Sequence, residues 1–176
     1  MRDASRHVDP AAEQRFEAAF RTHFAEVLAY LRRRLPADEA NDAAADVFAV
    51  AWRRSSEFDD EIPIPWLLGV AYRVTSEHYR SRRRRTALVK RLSSERQNAA
   101  DDPARLVASR GSAGEALAAF TRLRPRDQEL LRLAALEDLT TEQMAEVLGL
   151  SPSAVRTALS RARDRFHREL AEDTGS

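Results

Sequence analysis

The segment Leu139–Leu170, LTTEQMAEVLGLSPSAVRTALSRARDRFHREL, leaves its own backbone few choices. Thr140 and Gln143 have the spacing at which a side-chain oxygen and a side-chain amide cap each other's end of a helix, so a helix should begin at Thr141. Met144, Val147 and Leu148 supply its buried side. Gly149 stands where a helix ends by turning one residue into the left-handed conformation, which costs glycine nothing. Ser151 can cap a second helix and Pro152 suits its first position. A short helix, a three-residue turn and a longer helix make the helix-turn-helix arrangement.

The longer helix has two unlike faces. At 100° per residue, Val155, Leu159, Ala162, Phe166 and Leu170 fall within an arc of roughly 80°. Thr157, Ser160, Arg161, Asp164 and Arg168 lie away from that stripe, with Arg156 and Arg163 nearer its flanks. From Ser151 to Leu170 five arginines face two acids, whereas from Glu115 to Glu146 seven acids outnumber four arginines. Positive charge is thus concentrated on the helix that would enter a DNA groove.

The rest of the chain reads as helix too. Among 176 residues only five are glycine and seven proline, and 43% are hydrophobic, which favours an all-α protein with real cores. A first helix is expected over Pro10–Arg34, with Phe16, Phe20, Phe24, Val27, Leu28, Leu31 and Leu35 on one face. A second is expected over Asp38–Arg54, with Val47, Phe48, Ala51 and Trp52 inward. After an acid- and proline-rich loop, Ser55–Pro65, a third should span Trp66–Arg85, its stripe being Leu67, Val70, Ala71 and Val74. Periodicity then lapses from Thr86 to Gly114, where serines, Asn98, Asp101, Asp102, Pro103 and glycines suggest a linker, with room for a short helix inside it. Four short helices follow, near Glu115–Leu123, Pro125–Leu136, Thr141–Leu148 and Pro152–Leu170. Ten of the twelve aromatic residues precede Arg80, so two different cores are implied. The expected architecture is two small helical domains, residues 10–85 with three helices and 115–170 with four, joined by a flexible linker at 86–114.

Several chemistries are excluded. Without cysteine there is no disulfide, zinc–thiolate site or cysteine nucleophile. His7, His23, His78 and His167 are isolated, and no phosphate-binding glycine loop or nucleophile elbow occurs, so neither cofactor, metal nor catalytic residue is expected. No apolar run approaches the roughly 20 residues of a membrane span, and Met1–Pro10 lacks a secretory core. The expected location is cytoplasmic, with no membrane insertion and no small-molecule substrate.

The second half, AFTRLRPRDQELLRLAALEDLTTEQMAEVLGLSPSAVRTALSRARDRF, resembles region four of the extracytoplasmic-function sigma factors of bacterial RNA polymerase. The first half resembles region two of that family through ANDAAADVFAVAWRR and PWLLGVAYRVTSEHYRSRRRR. The resemblance implies an alternative sigma factor that binds the polymerase core and directs it to promoter DNA, with an anti-sigma factor as an open third partner. It places polymerase contacts at Asp42, Asp46 and Arg53. It places a pocket for a base flipped from the −10 element at Phe58, Val70, Ala71 and Arg73, with Arg80 on a nearby phosphate. Recognition of the −35 element falls to Arg156, Thr157, Ser160 and Arg161, arginine being able to bridge guanine O6 and N7. By the same likeness the run Arg82–Arg85 fits phosphate binding.

The chain departs from the family pattern at Ala45 and Asp46, where glutamine then glutamate are frequent, at Arg73, where asparagine is, and at Ala158, where a basic residue is. A rival reading is a two-domain helix-turn-helix regulator that binds a palindromic operator as a dimer and needs no polymerase for specificity. The two readings differ in one simple property. A net charge of only +1 limits counterion release, so the free chain should hold promoter DNA weakly at physiological salt and gain strongly from core polymerase. Titrating a labelled promoter with and without core polymerase checks this; tight binding that polymerase does not improve contradicts it.

Overall fold

The structure, a computed structural model, describes residues 9–92 and 112–174. Among them lie seven α-helices, one 3₁₀ turn and no strand. The chain divides into two compact units, Met1–Arg82 and Arg83–Ser176.

In the first unit α1 (Pro10–Arg32) starts where the Asp9 side chain accepts from the Ala11 amide at 3.1 Å, with Pro10 in the first helical position. Four residues lead to α2 (Ala37–Arg54), which runs back along α1 as a helical hairpin. The antiparallel sense shows in Arg15 near the start of α1, whose Nε donates to the Ser55 carbonyl just past α2. Ala40, Ala43, Ala44 and Ala51 are buried with Val47, so small side chains let the two helices close up. After a 3₁₀ turn (Ser55–Glu57), α3 (Ile64–Leu92) lays Leu67, Leu68, Val70 and Ala71 into the same core as Val27, Leu31, Leu35 and Ile62.

One arginine belongs to that core. Arg34 is 3% exposed; its guanidinium lies 3.5 Å from the Tyr30 ring centre and donates to the Tyr30 carbonyl at 2.8 Å. The ring face and the carbonyl replace water around a charge that would otherwise be costly to bury. The hydroxyl of Tyr79 on α3 donates to the Arg34 carbonyl, tying α3 to the α1–α2 turn.

Three expectations change here. Trp52 is 39% exposed and is not an inward residue. It sits one residue, or 100°, beyond buried Ala51, and its ring meets that of Phe16 edge to face, 5.1 Å away. Phe20, on the expected core face of α1, is 42% exposed although its ring meets that of buried Phe48 at 4.9 Å. Finally, α3 starts at Ile64 and continues to Leu92, seven residues past the expected Arg85, so part of the expected linker is helix. The remainder of that linker, 93–111, including Asp101 and Asp102, lies outside the described residues.

The second unit comprises α4 (Ser112–Arg122), α5 (Pro125–Ala135), α6 (Thr141–Leu148) and α7 (Pro152–Thr174). Helix α7 packs on the other three. Its Val155, Leu159 and Ala162 are buried with Ala119, Leu123, Leu130, Leu133, Met144 and Val147. The expected capping box is formed: the Gln143 side chain accepts from the Thr140 amide at 2.8 Å, and the Thr140 hydroxyl accepts from the Gln143 amide at 3.2 Å. Gly149 has φ +64°. Beyond it the Leu150 amide donates to the Ala145 carbonyl at 2.9 Å and Gly149 to Glu146 at 3.3 Å, closing the helix end. Ser151 then caps α7 through the Ala154 amide at 3.2 Å.

A buried ion pair joins α5 to α7. One terminal nitrogen of Arg165 donates to both carboxylate oxygens of Asp127, at 2.8 and 2.9 Å. The Asp127 side chain is 7% exposed and that of Arg165 35%, which makes the two unequal when one is removed. Arg165→Ala strands a carboxylate away from water, a loss of about 3 kcal/mol. Asp127→Ala leaves a guanidinium that can turn outward, a loss nearer 1 kcal/mol. Amide exchange in α5 and α7 of the full chain should rank the two in that order; equal losses contradict the asymmetry. Gly149→Ala should cost about 1 kcal/mol by the same measurement in α6, through the backbone alone. An added Cβ there meets nothing within 4 Å, so a larger loss would point to a clash instead.

Candidate nucleic-acid interface

Three solvent-facing regions carry the residues singled out from the sequence. On α7, Arg156, Thr157, Ser160 and Arg161 are all exposed, Thr157, Ser160 and Arg161 away from buried Val155 and Ala162 and Arg156 at the flank of that stripe. The Thr157 hydroxyl donates back to the Ser153 carbonyl at 3.0 Å, leaving its lone pairs and methyl group outward. Arg156 lies 3.9 Å from Glu142 on α6, both side chains more than 60% exposed. So exposed a pair is worth at most about 1 kcal/mol and yields readily to a stronger acceptor.

Two grooves flank this face of α7, each of about 550 Å³. One runs toward α6 and is lined by Thr140, Thr141, Arg156, Ser160, Arg163 and His167 among others. The other runs toward α5 and is lined by Arg124, Arg126, Asp127, Thr157, Arg161 and Arg165 among others. The helix therefore stands proud between two open channels. Major-groove entry needs that relief, because a duplex groove about 12 Å wide must take the helix while its backbones pass on either side. Arg124 and Arg126 were not expected at this surface.

On the first unit, Phe58 is half-buried and meets the Trp66 ring edge to face, centroids 5.1 Å apart. The Arg54 guanidinium lies 5.4 Å from the same Trp66 ring. Its Nε donates to both Glu57 oxygens at 2.9 Å. That hydrogen bond holds the Glu57 carboxyl below the ordinary carboxylate range and raises Arg54. Two half-exposed rings with a guanidinium held beside them make a stacking surface for a planar base. Arg73 and Arg80 are exposed farther along α3, Arg80 3.9 Å from Glu77.

Val70 and Ala71 do not share this surface. They are 2% and 0% exposed, part of the α3 stripe that faces the core, and are not on the surface that carries Phe58 and Trp66. Arg54 takes their place in the cluster; only its exposed position four residues before Phe58 hinted at it. Asp42, Asp46 and Arg53 are all exposed on α2, and among the described residues none of the three makes an ion pair. In the Arg82–Arg85 run, Arg84 is exposed and Arg82 half-buried, while the side chains of Arg83 and Arg85 lie outside the described residues.

Comparison with known proteins places these surfaces in a wider context. The model of sigma-70 region 2 matches residues 19–85, and that of sigma-70, region 4 matches residues 113–166. The chain is 27% identical over 148 residues to the RNA polymerase sigma factor CnrH of Cupriavidus metallidurans, covering 80% of this chain and 78% of that one. It is 28% identical over 159 residues to the RNA polymerase sigma factor YlaC of Bacillus subtilis, covering 89% and 92%. Among solved structures, CnrH in complex with the cytosolic domain of CnrY superposes with a TM-score of 0.61 at 25% identity, over 93% of this chain and 94% of that chain. The sigma factor RpoE in complex with the anti-sigma factor NepR from Bartonella quintana reaches the same TM-score at 20% identity, over 89% and 96%, a likeness of fold.

Proposed function

Because this chain belongs to the sigma-70 family, in its extracytoplasmic-function branch, and is an alternative sigma factor that directs transcription initiation by RNA polymerase, we propose that its two helical units divide promoter reading between named surfaces. The second unit reads the −35 element with Arg156, Thr157, Ser160 and Arg161. The observation that carries this is the four-residue exposed face of α7, standing between two open grooves with its opposite face buried. The first unit holds a base of the −10 element against Phe58 and Trp66, with Arg54 beside the rings, Arg73 at the edge and Arg80 on phosphate. Asp42, Asp46 and Arg53 on α2, exposed and in no ion pair among the described residues, bind the polymerase core. In this reading the chain contributes binding energy and shape, and the polymerase performs the chemistry.

Flipping a base out of the stack costs a few kcal/mol, and ring stacking returns about 1–3 kcal/mol per base. A pair of rings therefore offsets most of that cost without naming the base. Arg73, with no ion pair among the described residues, is the group left to do the naming. An anti-sigma factor is the third partner we propose, on the strength of solved relatives that carry one. Neither family match favours the dimeric operator-binding regulator.

The test separates base reading from phosphate anchoring along α7. Arg156 stands in the second turn, where a helix entering the major groove end-on presents side chains to base edges. Arg168 lies three turns later and its Nε donates to the Asp164 carbonyl at 3.4 Å. Arg156→Ala should cost about 1–3 kcal/mol on the preferred −35 sequence and relax preference at one base pair. Arg168→Ala should lower all sequences alike or leave them unchanged. Transcription by holoenzyme from a library randomised in the −35 element reads both. A common factor at every promoter for Arg156→Ala removes it from the reading face.

A further inference from the structure

We infer that the exposed face of α2 pairs with the same face of a second copy of this chain, and that free protein so paired hides the residues that hold the polymerase core. The concealment rests on the reading of α2 as the polymerase-binding helix; the pairing does not.

Helix α2 turns one continuous face to solvent. At 100° per residue Asp42, Ala45, Asp46, Ala49, Trp52 and Arg53 fall within an arc of about 120°, and all six are exposed. Ala43, Ala44, Val47 and Ala51 face the core from the other side. Trp52, 39% exposed, makes one flank of the face apolar. The apolar surface continues onto α1 through Phe16, whose ring lies 5.1 Å from Trp52 and 6.1 Å from Phe20, itself 42% exposed. Exposed rings gathered in one patch mark a surface that meets another protein.

The order of charge along the face identifies that protein. Asp42 and Asp46 stand toward the start of α2 and Arg53 at its end, all exposed and in no ion pair among the described residues. The three lie within about 40° of one another around the helix, on the flank away from Trp52. A second α2 laid antiparallel, about a two-fold axis midway between Asp42 and Arg53, brings the acids of each copy to the arginine of the other. The same operation sets each Trp52 beside the other copy's Ala45. With alanine at 45 and 49 the two helix axes approach to about 8 Å. Phe20, whose ring lies 4.9 Å from Phe48 next to that midpoint, comes near the axis and its own counterpart. Parallel pairing fails, because it sets acid on acid and arginine on arginine. A partner of uniform charge satisfies only half of the face. Pairing covers Asp42, Asp46 and Arg53, so the polymerase core draws on the monomer, and surplus free chain is held as dimer.

The experiment is sedimentation of the full chain over a range of concentration. A reversible monomer–dimer equilibrium with a roughly micromolar constant is expected, as small, partly polar interfaces give. Asp42→Arg alone and Arg53→Asp alone should each weaken it about tenfold, since attraction becomes repulsion at both reciprocal contacts. Mixed in equal amounts, the two variants complement each other and should form a mixed dimer about as tight as the unsubstituted one. A fault in folding cannot produce that rescue. A chain that stays monomeric up to about 100 µM overturns the inference, as does a mixture that pairs no better than either variant alone. Added core polymerase should break the dimer and leave one chain per holoenzyme. A dimer that survives intact on the core overturns the reading of α2 as the polymerase-binding helix, while the pairing stands.

Discussion

The second unit depends on a single helix being apolar on one side and polar on the other. Burial of Val155, Leu159 and Ala162 against three neighbouring helices is what holds α4, α5 and α6 in place. Each larger side chain so buried is worth about 1.5–3 kcal/mol, more than an exposed ion pair such as Arg156–Glu142 or Arg21–Glu17 can supply. The ion pair between Asp127 and Arg165 acts differently. Taken from water, it adds little net stability, but it fixes where α5 lies along α7, because one nitrogen must reach two oxygens. The apolar stripe holds the helices together and the charged pair sets their register. The polar face of α7 is left free for binding as a result of both.

The first unit solves a similar problem with different chemistry. Its helices close on alanines in α2, and the rings that a helical-wheel reading assigns to the interior are spread along the α1–α2 seam. Phe16, Phe20, Phe24, Phe48 and Trp52 form a cluster of ring contacts between 4.9 and 6.4 Å, and two of its rings, Phe20 and Trp52, are exposed. At its other end the core closes over Arg34, whose charge is satisfied by a ring face and a carbonyl. Large aromatic surfaces need not be fully covered to contribute, and here they also leave α1 and α2 with an apolar rim.

Local grammar was read correctly from the sequence wherever a few neighbouring residues decide the outcome. The capping box at Thr140 and Gln143, the left-handed Gly149 and the start of α7 at Pro152 all follow from side-chain chemistry within one turn. Helix α3 ran past its expected end because no proline or glycine stops it after Arg85, and loss of apolar period there was not loss of helix. Val70 and Ala71 show two arguments in conflict. The apolar stripe of α3 put them inward, family position put them at DNA, and the stripe described their burial. Arg124 and Arg126 were missed for a different reason. Charges tallied along the chain made Glu115–Glu146 an acidic background, yet folding brings α5's start beside α7, and residues some thirty positions apart share one wall. Surfaces assembled from different helices have no signature within a window of sequence.

The turn at Gly149 and the face beyond it differ in how freely they can vary. Any side chain at Gly149 must adopt a backbone conformation that L-residues resist, so heritable change there is confined by the scaffold itself. Arg156, Thr157, Ser160 and Arg161 are exposed and stand outside the buried stripe, so replacing them leaves the core intact. Mutation can therefore redraw this face while the frame that presents it stays the same. On the proposed reading of this face, a duplicated copy of such a gene could drift toward a different set of promoters by single steps, with the turn holding every intermediate in the same pose.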